Sequence, residues 1–527
     1  MITTQTLSIV DWALIAGYLL FVTWLGIKLG GRHKGADDYF LAGRKMHWVF
    51  VGVSLFASNI SSTTLIGLAG AAYATGISIF NYEWSASVIL VFFAIFMVPA
   101  LIRSKAFTMP EVLETRYGTG VRKYFSLLTI FLNIVVDTAG SLFAGGVILK
   151  TLFPETDFWI IISALALFAG IYTLAGGMAA VIYTDFVQTI FLLIGAVTIT
   201  VVAFSKIGGW SHMVEHLDPA RLSLIRPMSD PTMPWTGLLF GIPVLGFYFW
   251  CTNQFMTQRI LSARSIEHAQ KGALLAAALK LPVLFIMVIP GTIAIKLYPD
   301  LAQPDLVYPT LIFDLLPSGL LGIVLAGFLA ALMSQIDSTL NAASTLVTMD
   351  FIQPLKPNLT TRQLMRTGRI VTFLFMLLAA AWAPQIQRFE SLFNYLQQIL
   401  AYAVPPVVAL YLGSLFSKRA NRIGGYTAIA FGTAVGAILF YLNVVAKTWT
   451  LHFLYVAPII LLFSLIGLVV GSSFAAGPPP AAQTMRWTLQ SFRDETRLLK
   501  ERPLLHNYRF WAILLLAATF AIVYWFR

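Results

Sequence analysis

Ser54-Leu-Phe-Ala-Ser-Asn-Ile-Ser-Ser-Thr-Thr64 decides how this chain is read. It sits inside a long apolar run, 49–73, yet seven of its eleven side chains carry a hydroxyl or an amide. In lipid a helix satisfies its own backbone, and a break is tolerated only where protein or a cavity covers it. Asn59 and the hydroxyls around it can bond the amides and carbonyls that an unwound turn frees. A discontinuous helix is expected here. A second break is expected in 234–260, where Pro243 and Gly246 precede Phe247-Tyr-Phe-Trp-Cys-Thr-Asn-Gln254, because proline removes a helical donor and clashes with the preceding turn. Discontinuous helices at corresponding places in two halves point to a transporter's binding site.

The composition around these breaks excludes a soluble protein. Of 527 residues 58% are hydrophobic and only 11% charged, where a water-facing surface needs about 25%. Fourteen apolar runs, from 9–30 to 508–526, each approach the roughly 20 residues that span a bilayer. They show no strand-like alternation, so the chain reads as an all-α integral membrane protein. The two broken runs open five-span blocks, 49–205 and 234–417, and an odd number of spans per block inverts the second against the first. Around this core lie 1–48 (an extra helix and a loop), 206–233 (an outer loop), 418–472 (two peripheral helices), 473–507 and a last span in 508–527. The cytoplasmic segment 473–507 reads as an amphipathic helix at the bilayer surface or, equally, as a solvated linker.

The net charge of +12 follows from topology. Connections after odd-numbered spans hold 26 of the 35 Lys and Arg residues, the opposite side holds 8, and Lys280 lies within a span. Basic residues accumulate on the cytoplasmic side, so both termini are expected outside the cell membrane. No nucleic-acid partner is needed to explain the charge, and no obligatory protein partner is evident. The single cysteine, Cys251, leaves no intrachain disulfide to form. His212-Met-Val-Glu-His216 matches a zinc-protease pattern, but its loop is too short for such a domain and no transition-metal site is expected.

Charges inside the membrane are costly and mark function. Counting 1.5 Å of rise per residue puts Glu83 and Gln397 in an outer layer. Asp185, Asp337 and Asn59 fall in an inner one. Asp137 and Lys280 lie between, where they are expected to pair.

Ordered stretches give this chain a family resemblance: Tyr39-Phe-Leu-Ala-Gly-Arg44, Phe56-Ala-Ser-Asn-Ile-Ser61, Tyr82-Glu-Trp84, Thr108-Met-Pro-Glu-Val-Leu-Glu114 and Tyr183-Thr-Asp185, then Tyr248 to Gln254 with Gln258-Arg259, Lys280, Asn341 to Asp350 and Tyr395-Leu-Gln397. Together they resemble the sodium:solute symporter family, in its sodium–glucose cotransporter branch. The resemblance implies a fold of five plus five inverted helices with alternating access driven by sodium. It implies a sodium site from the carbonyls of Ala57, Ile60 and Ala331, the Ser334 hydroxyl, and Gln335 where relatives carry serine or threonine. A possible second ion site falls on Asp185, Ser334, Asp337 and Ser338. Two carboxylates there leave a proton as the alternative coupling ion. Solute-binding positions fall on Asn59, Thr64, Glu83, Asn253, Lys280 and Gln397, with Trp250 and Phe249 at the gate. Phe249 stands where relatives have a tyrosine.

The expected function is sodium-coupled import of a sugar or related polyol, with no enzymatic activity. The alternatives are the same fold carrying a sialic acid or organic anion on sodium or protons, and more remotely a membrane sensor or enzyme. Lys280 distinguishes the first two, because an anionic solute would need its charge.

Overall fold

The computed structural model describes residues 7–29, 36–173, 178–478, 480–483 and 485–527. Among these residues no β-strand forms; there are only two isolated bridges, Met46 with Ala263 and Arg226 with Pro234. Ten helices position the site: α1 (Ile9–Leu29), α2 (Trp48–Asn59), α3 (Ser62–Thr75), α4 (Asn81–Phe96), α5 (Met178–Ile207), α6 (Trp235–Phe247), α7 (Gln254–Leu261), α8 (Ile266–Lys280), α9 (Leu320–Leu346) and α10 (Leu392–Ala403).

Both expected breaks are present. Helix α2 stops at Asn59, and α3 restarts after Ser61, whose side chain accepts from the Thr64 amide as an N-cap. In the second half, α6 passes into a π-helical turn, Tyr248–Thr252, and Asn253 adopts an extended conformation before α7. Polar residues at the first break and Pro243 with Gly246 at the second were the sequence signals for each.

Ten helical stretches among the described residues are long and apolar enough to cross a bilayer, or twelve if each of two bent pairs is one span. That criterion does not reach fourteen, for two physical reasons. The expected spans 49–73 and 77–102 run together, because a 3-10 turn, Gly76–Phe80, joins α3 to α4 without interruption. Residues 157–175 supply a helix of only 16 residues, Phe158–Thr173, with 174 and 175 outside the described set. The outer helices expose rows of large apolar side chains, among them Ile9, Leu20, Ile438, Val469, Ile513 and Phe520. Exposed apolar rows of this extent mark a surface that faces a membrane or an apolar partner.

Close packing sets the register of the core. Helices α2 and α8 run side by side in one direction, and a Cβ on Gly52 would stand 2.7 Å from the Gly272 carbonyl. Two turns further on, that approach brings Lys280 to Asn59. The first turn of α9 is anchored by buried Asp11 of α1, whose Oδ1 accepts from the amides of Gly319 (2.8 Å) and Gly322 (2.7 Å). An anion at a helix N-terminus is favourable because the first-turn amides have no helical partner. The expected amphipathic segment contains a helix, Leu489–Lys500, opened by a capping box of Thr488 and Ser491. It docks on α8 through Glu495 to Gln270 (3.1 Å).

Candidate functional site

A cavity opens at the first break. Asn59, Thr64, Glu83, Asp137, Phe249, Trp250, Gln335 and Gln397 all line it. It encloses about 120 Å³, below the roughly 300–1,000 Å³ typical of drug-sized ligand sites, so its occupant is small. The Thr64 hydroxyl is already committed, donating to the Asn59 carbonyl at 2.5 Å. Phe249 meets Trp250 edge to face with centroids 5.2 Å apart.

Lys280 lies behind this wall rather than in it. Its ammonium is fully buried, pairs with Glu83 Oε2 at 2.5 Å and donates to Asn59 Oδ1. It also sits 5.1 Å from the Trp250 ring centroid, within cation–π range. Two expectations are thereby corrected. Lys280 does not pair with Asp137: α8 packs against α2 and α4, so the carboxylate it faces is Glu83. Asp137 sits on a π-helical turn, Asn133–Thr138, and faces the cavity instead. Asn59 belongs with Glu83 and Gln397 on the cavity wall, not with the Asp185 cluster, because Lys280 of the neighbouring α8 bonds both Asn59 and Glu83.

Asn253 is corrected as well. Its side chain accepts from the Phe255 amide (3.2 Å) and its carbonyl from the Thr257 amide (3.0 Å). It caps α7, is 1% exposed and does not line the cavity.

At the break itself, the Ser61 amide donates to the Asn59 carbonyl (3.0 Å) and the Ile60 amide to the Phe56 carbonyl (2.9 Å). The carbonyls of Ala57 and Ile60 therefore receive no hydrogen bond from a described residue. Buried carbonyls need a partner, and a hard cation takes such oxygens. Across from them, a Ser58–Ser338 hydrogen bond of 3.2 Å sets α2 against α9. Buried Gln335 on α9 has a side-chain oxygen without a partner. Ser334 donates to Asp185 Oδ1 at 2.6 Å.

Asp185 is the centre of a second, dry cluster. Arg259 of α7, 1% exposed, donates to Asp185 Oδ2 (3.0 Å), to Ser54 Oγ (2.7 Å) and to Ser338 Oγ. The Ser54 hydroxyl in turn donates to Asp185 Oδ2. A guanidinium thus holds the position expected for a second ion. Elsewhere, donor atoms of His212, Glu215 and His216 lie within 4.8 Å of one another on an exposed short helix, Gly209–His216.

Two unwound helix ends, bare carbonyls and an adjoining small polar cavity are the parts of an ion-coupled carrier, and comparison with known proteins agrees. Residues 39–432 match the sodium:solute symporter family. The chain belongs to that family. It is 32% identical to sodium/glucose cotransporter 4 of Danio rerio, over 94% of this chain and 83% of that protein. It is 34% identical to sodium/myo-inositol cotransporter 2 of Sus scrofa, over 95% and 82%. Its fold matches a substrate-bound, outward-open, sodium-coupled sialic acid symporter with a TM-score of 0.78, at 23% identity and with 90% and 99% coverage. The protein is a multi-pass, sodium-coupled symporter for a small polar solute, and its relatives are transporters rather than enzymes.

Arg259, which the sequence reading quoted within the resemblance without giving it a role, is the buried cation at the centre of the inner cluster. It lies near the C-terminal end of α7, yet it points into the bundle.

Proposed function

We propose that this symporter imports a neutral polyhydroxylated solute, of the hexose or inositol class, across the cell membrane on a sodium gradient. The single observation that carries this reading is the character of the cavity wall. Asn59, Glu83, Asp137, Gln335 and Gln397 offer acceptors and amides, Trp250 and Phe249 offer aromatic faces, and no lining residue among those described is cationic. Hydroxyls donate well to carboxylates and amides, and sugar rings have apolar faces that rest on aromatic ones. A solute carboxylate would meet Asp137 with no counter-charge, because Lys280 is already taken by Glu83. The glucose and myo-inositol named for the relatives fit such a wall.

In this reading sodium binds at the first break, held by the carbonyls of Ala57, Ile60 and Ala331, the Ser334 hydroxyl and the Gln335 amide oxygen. The two halves, 49–205 and 234–417, form the inverted repeat, and the bias of basic residues places both termini outside. One sodium crossing about 100 mV releases about 2.3 kcal/mol and a tenfold gradient adds about 1.4. Together these support roughly 500-fold accumulation.

The test is uptake into proteoliposomes of a labelled panel of glucose, galactose, myo-inositol and sialic acid, under an inward gradient of sodium, of protons, or of neither. Sodium-driven uptake of at least one neutral compound is expected. Uptake of sialic acid alone, or uptake indifferent to sodium, would refute the proposal.

A further inference from the structure

The solute cavity carries an unbalanced charge, and this bears on which solutes enter it; the inference rests on the polyol-symport reading. Two acids line the wall, Glu83 and Asp137, and no described lining residue is basic. Glu83 is matched by Lys280, which also takes Asn59 Oδ1. The Thr64 hydroxyl is spent on the Asn59 carbonyl. Asp137 has no such match: among the described residues no cation pairs with its carboxylate and no group donates to it. Two phenols within electrostatic reach, Tyr248 and Tyr395, bring no positive charge. Tyr395 donates to the Val135 carbonyl instead, at 2.5 Å. The oxygens proposed for sodium are all neutral, and Asp137 is not among them.

An ionised side chain within a membrane protein is costly and pairs with the charge that can reach it. The open side of Asp137 is the cavity, so that charge arrives with the solute. A primary ammonium in place of a hydroxyl adds almost no volume, which matters in a cavity of about 120 Å³. It brings three donors where a hydroxyl brings one, and its hydrogen bond to a carboxylate is stronger than a neutral one. The rings of Phe249 and Trp250 favour the same exchange, because aromatic faces attract cations.

We propose that the cavity also takes aminated polyols, hexoses or cyclitols in which one hydroxyl is replaced by a primary ammonium, and that Asp137 selects them.

The test is competition in proteoliposomes holding the full chain. Labelled glucose or myo-inositol, whichever the sodium gradient accumulates, is the probe, at about pH 6.5, where alkylamines are protonated. The competitors are unlabelled glucose and myo-inositol, glucose analogues carrying the amine at carbon two, three or six, and a monoamino analogue of myo-inositol. At least one amino compound is expected to inhibit about tenfold more strongly than its hydroxyl parent, and its labelled form to accumulate on the sodium gradient. In Asp137→Asn that ratio is expected to fall to about one or below. It is taken within each protein, so a general loss of transport cancels. Thermal stabilisation of the detergent-solubilised protein by each compound reads the same ratio without turnover, should the variant fail to transport. Amino compounds that never surpass their parents in the wild type would overturn the proposal, with neutral uptake still intact. An advantage undiminished in Asp137→Asn would overturn the role of Asp137. Neutral uptake indifferent to sodium would instead refute the symport reading, and this inference with it.

Discussion

The molecule contains two buried ion pairs of similar chemistry in different settings. Lys280–Glu83 stands behind a wall of the cavity, and its acid still lines that cavity. Arg259–Asp185 is sealed among serines of α2 and α9, and neither partner lines the cavity. Lysine is a point charge satisfied by two oxygens, whereas arginine's fork ties three helices to α7. In both pairs the cation is withdrawn from the transported species. The first withdrawal leaves acceptors facing the cavity; the second leaves the carbonyls of Ala57 and Ile60, which accept no hydrogen bond from a described residue, as the proposed place for a mobile ion.

Breaking the sealed pair is expected to have the largest effect. Arg259→Gln or Asp185→Asn alone strands a buried charge and is expected to destabilise the fold by about 3–5 kcal/mol. Thermal unfolding in detergent would show this, with the double variant closer to wild type than either single one. Single variants as stable as wild type would mean that water reaches the cluster. Lys280→Met is expected to cost less, about 1–3 kcal/mol, because the cavity lets water solvate Glu83. Its half-saturating solute concentration should rise by about tenfold or more while its sodium dependence moves less. Equal changes in both would erase the distinction between the layers.

Gln335→Ala removes a proposed sodium ligand and is expected to raise the half-saturating sodium concentration about tenfold, equivalent to about 1.4 kcal/mol. An unchanged sodium dependence would take Gln335 out of the site. Asp137→Asn is expected to alter neutral-solute affinity by about threefold or less, a fraction of a hydrogen bond's net worth, while relaxing the exclusion of acidic solutes. Inhibition by sialic acid that is no stronger in Asp137→Asn than in wild type would show that Asp137 does not set charge selectivity.

The sequence announced the helix breaks because their causes are local: hydroxyls and Asn59 at one, Pro243 and Gly246 at the other. Partners across the bundle were less legible. Counting rise along each helix placed Asn59 with the Asp185 layer and paired Lys280 with Asp137, because depth alone does not say which helices pack together: α8 lies against α2 and α4, which brings Asn59 and Glu83 to Lys280. Asn253 looked like a solute ligand but serves the backbone of α7. Arg259 was hidden by its position at a helix end, where a basic residue ordinarily faces water. Which way a terminal residue points is decided by tertiary packing, in this case by Asp185 from a different helix.

The central claim is that the cavity accepts a neutral polyol and repels an acid. Its most direct test is sodium-driven accumulation of labelled glucose or myo-inositol in proteoliposomes with a hundredfold excess of unlabelled sialic acid outside. Accumulation undiminished by sialic acid, and abolished when choline replaces sodium, is the predicted result. Loss of accumulation under sialic acid, through competition for the same cavity, would contradict the account.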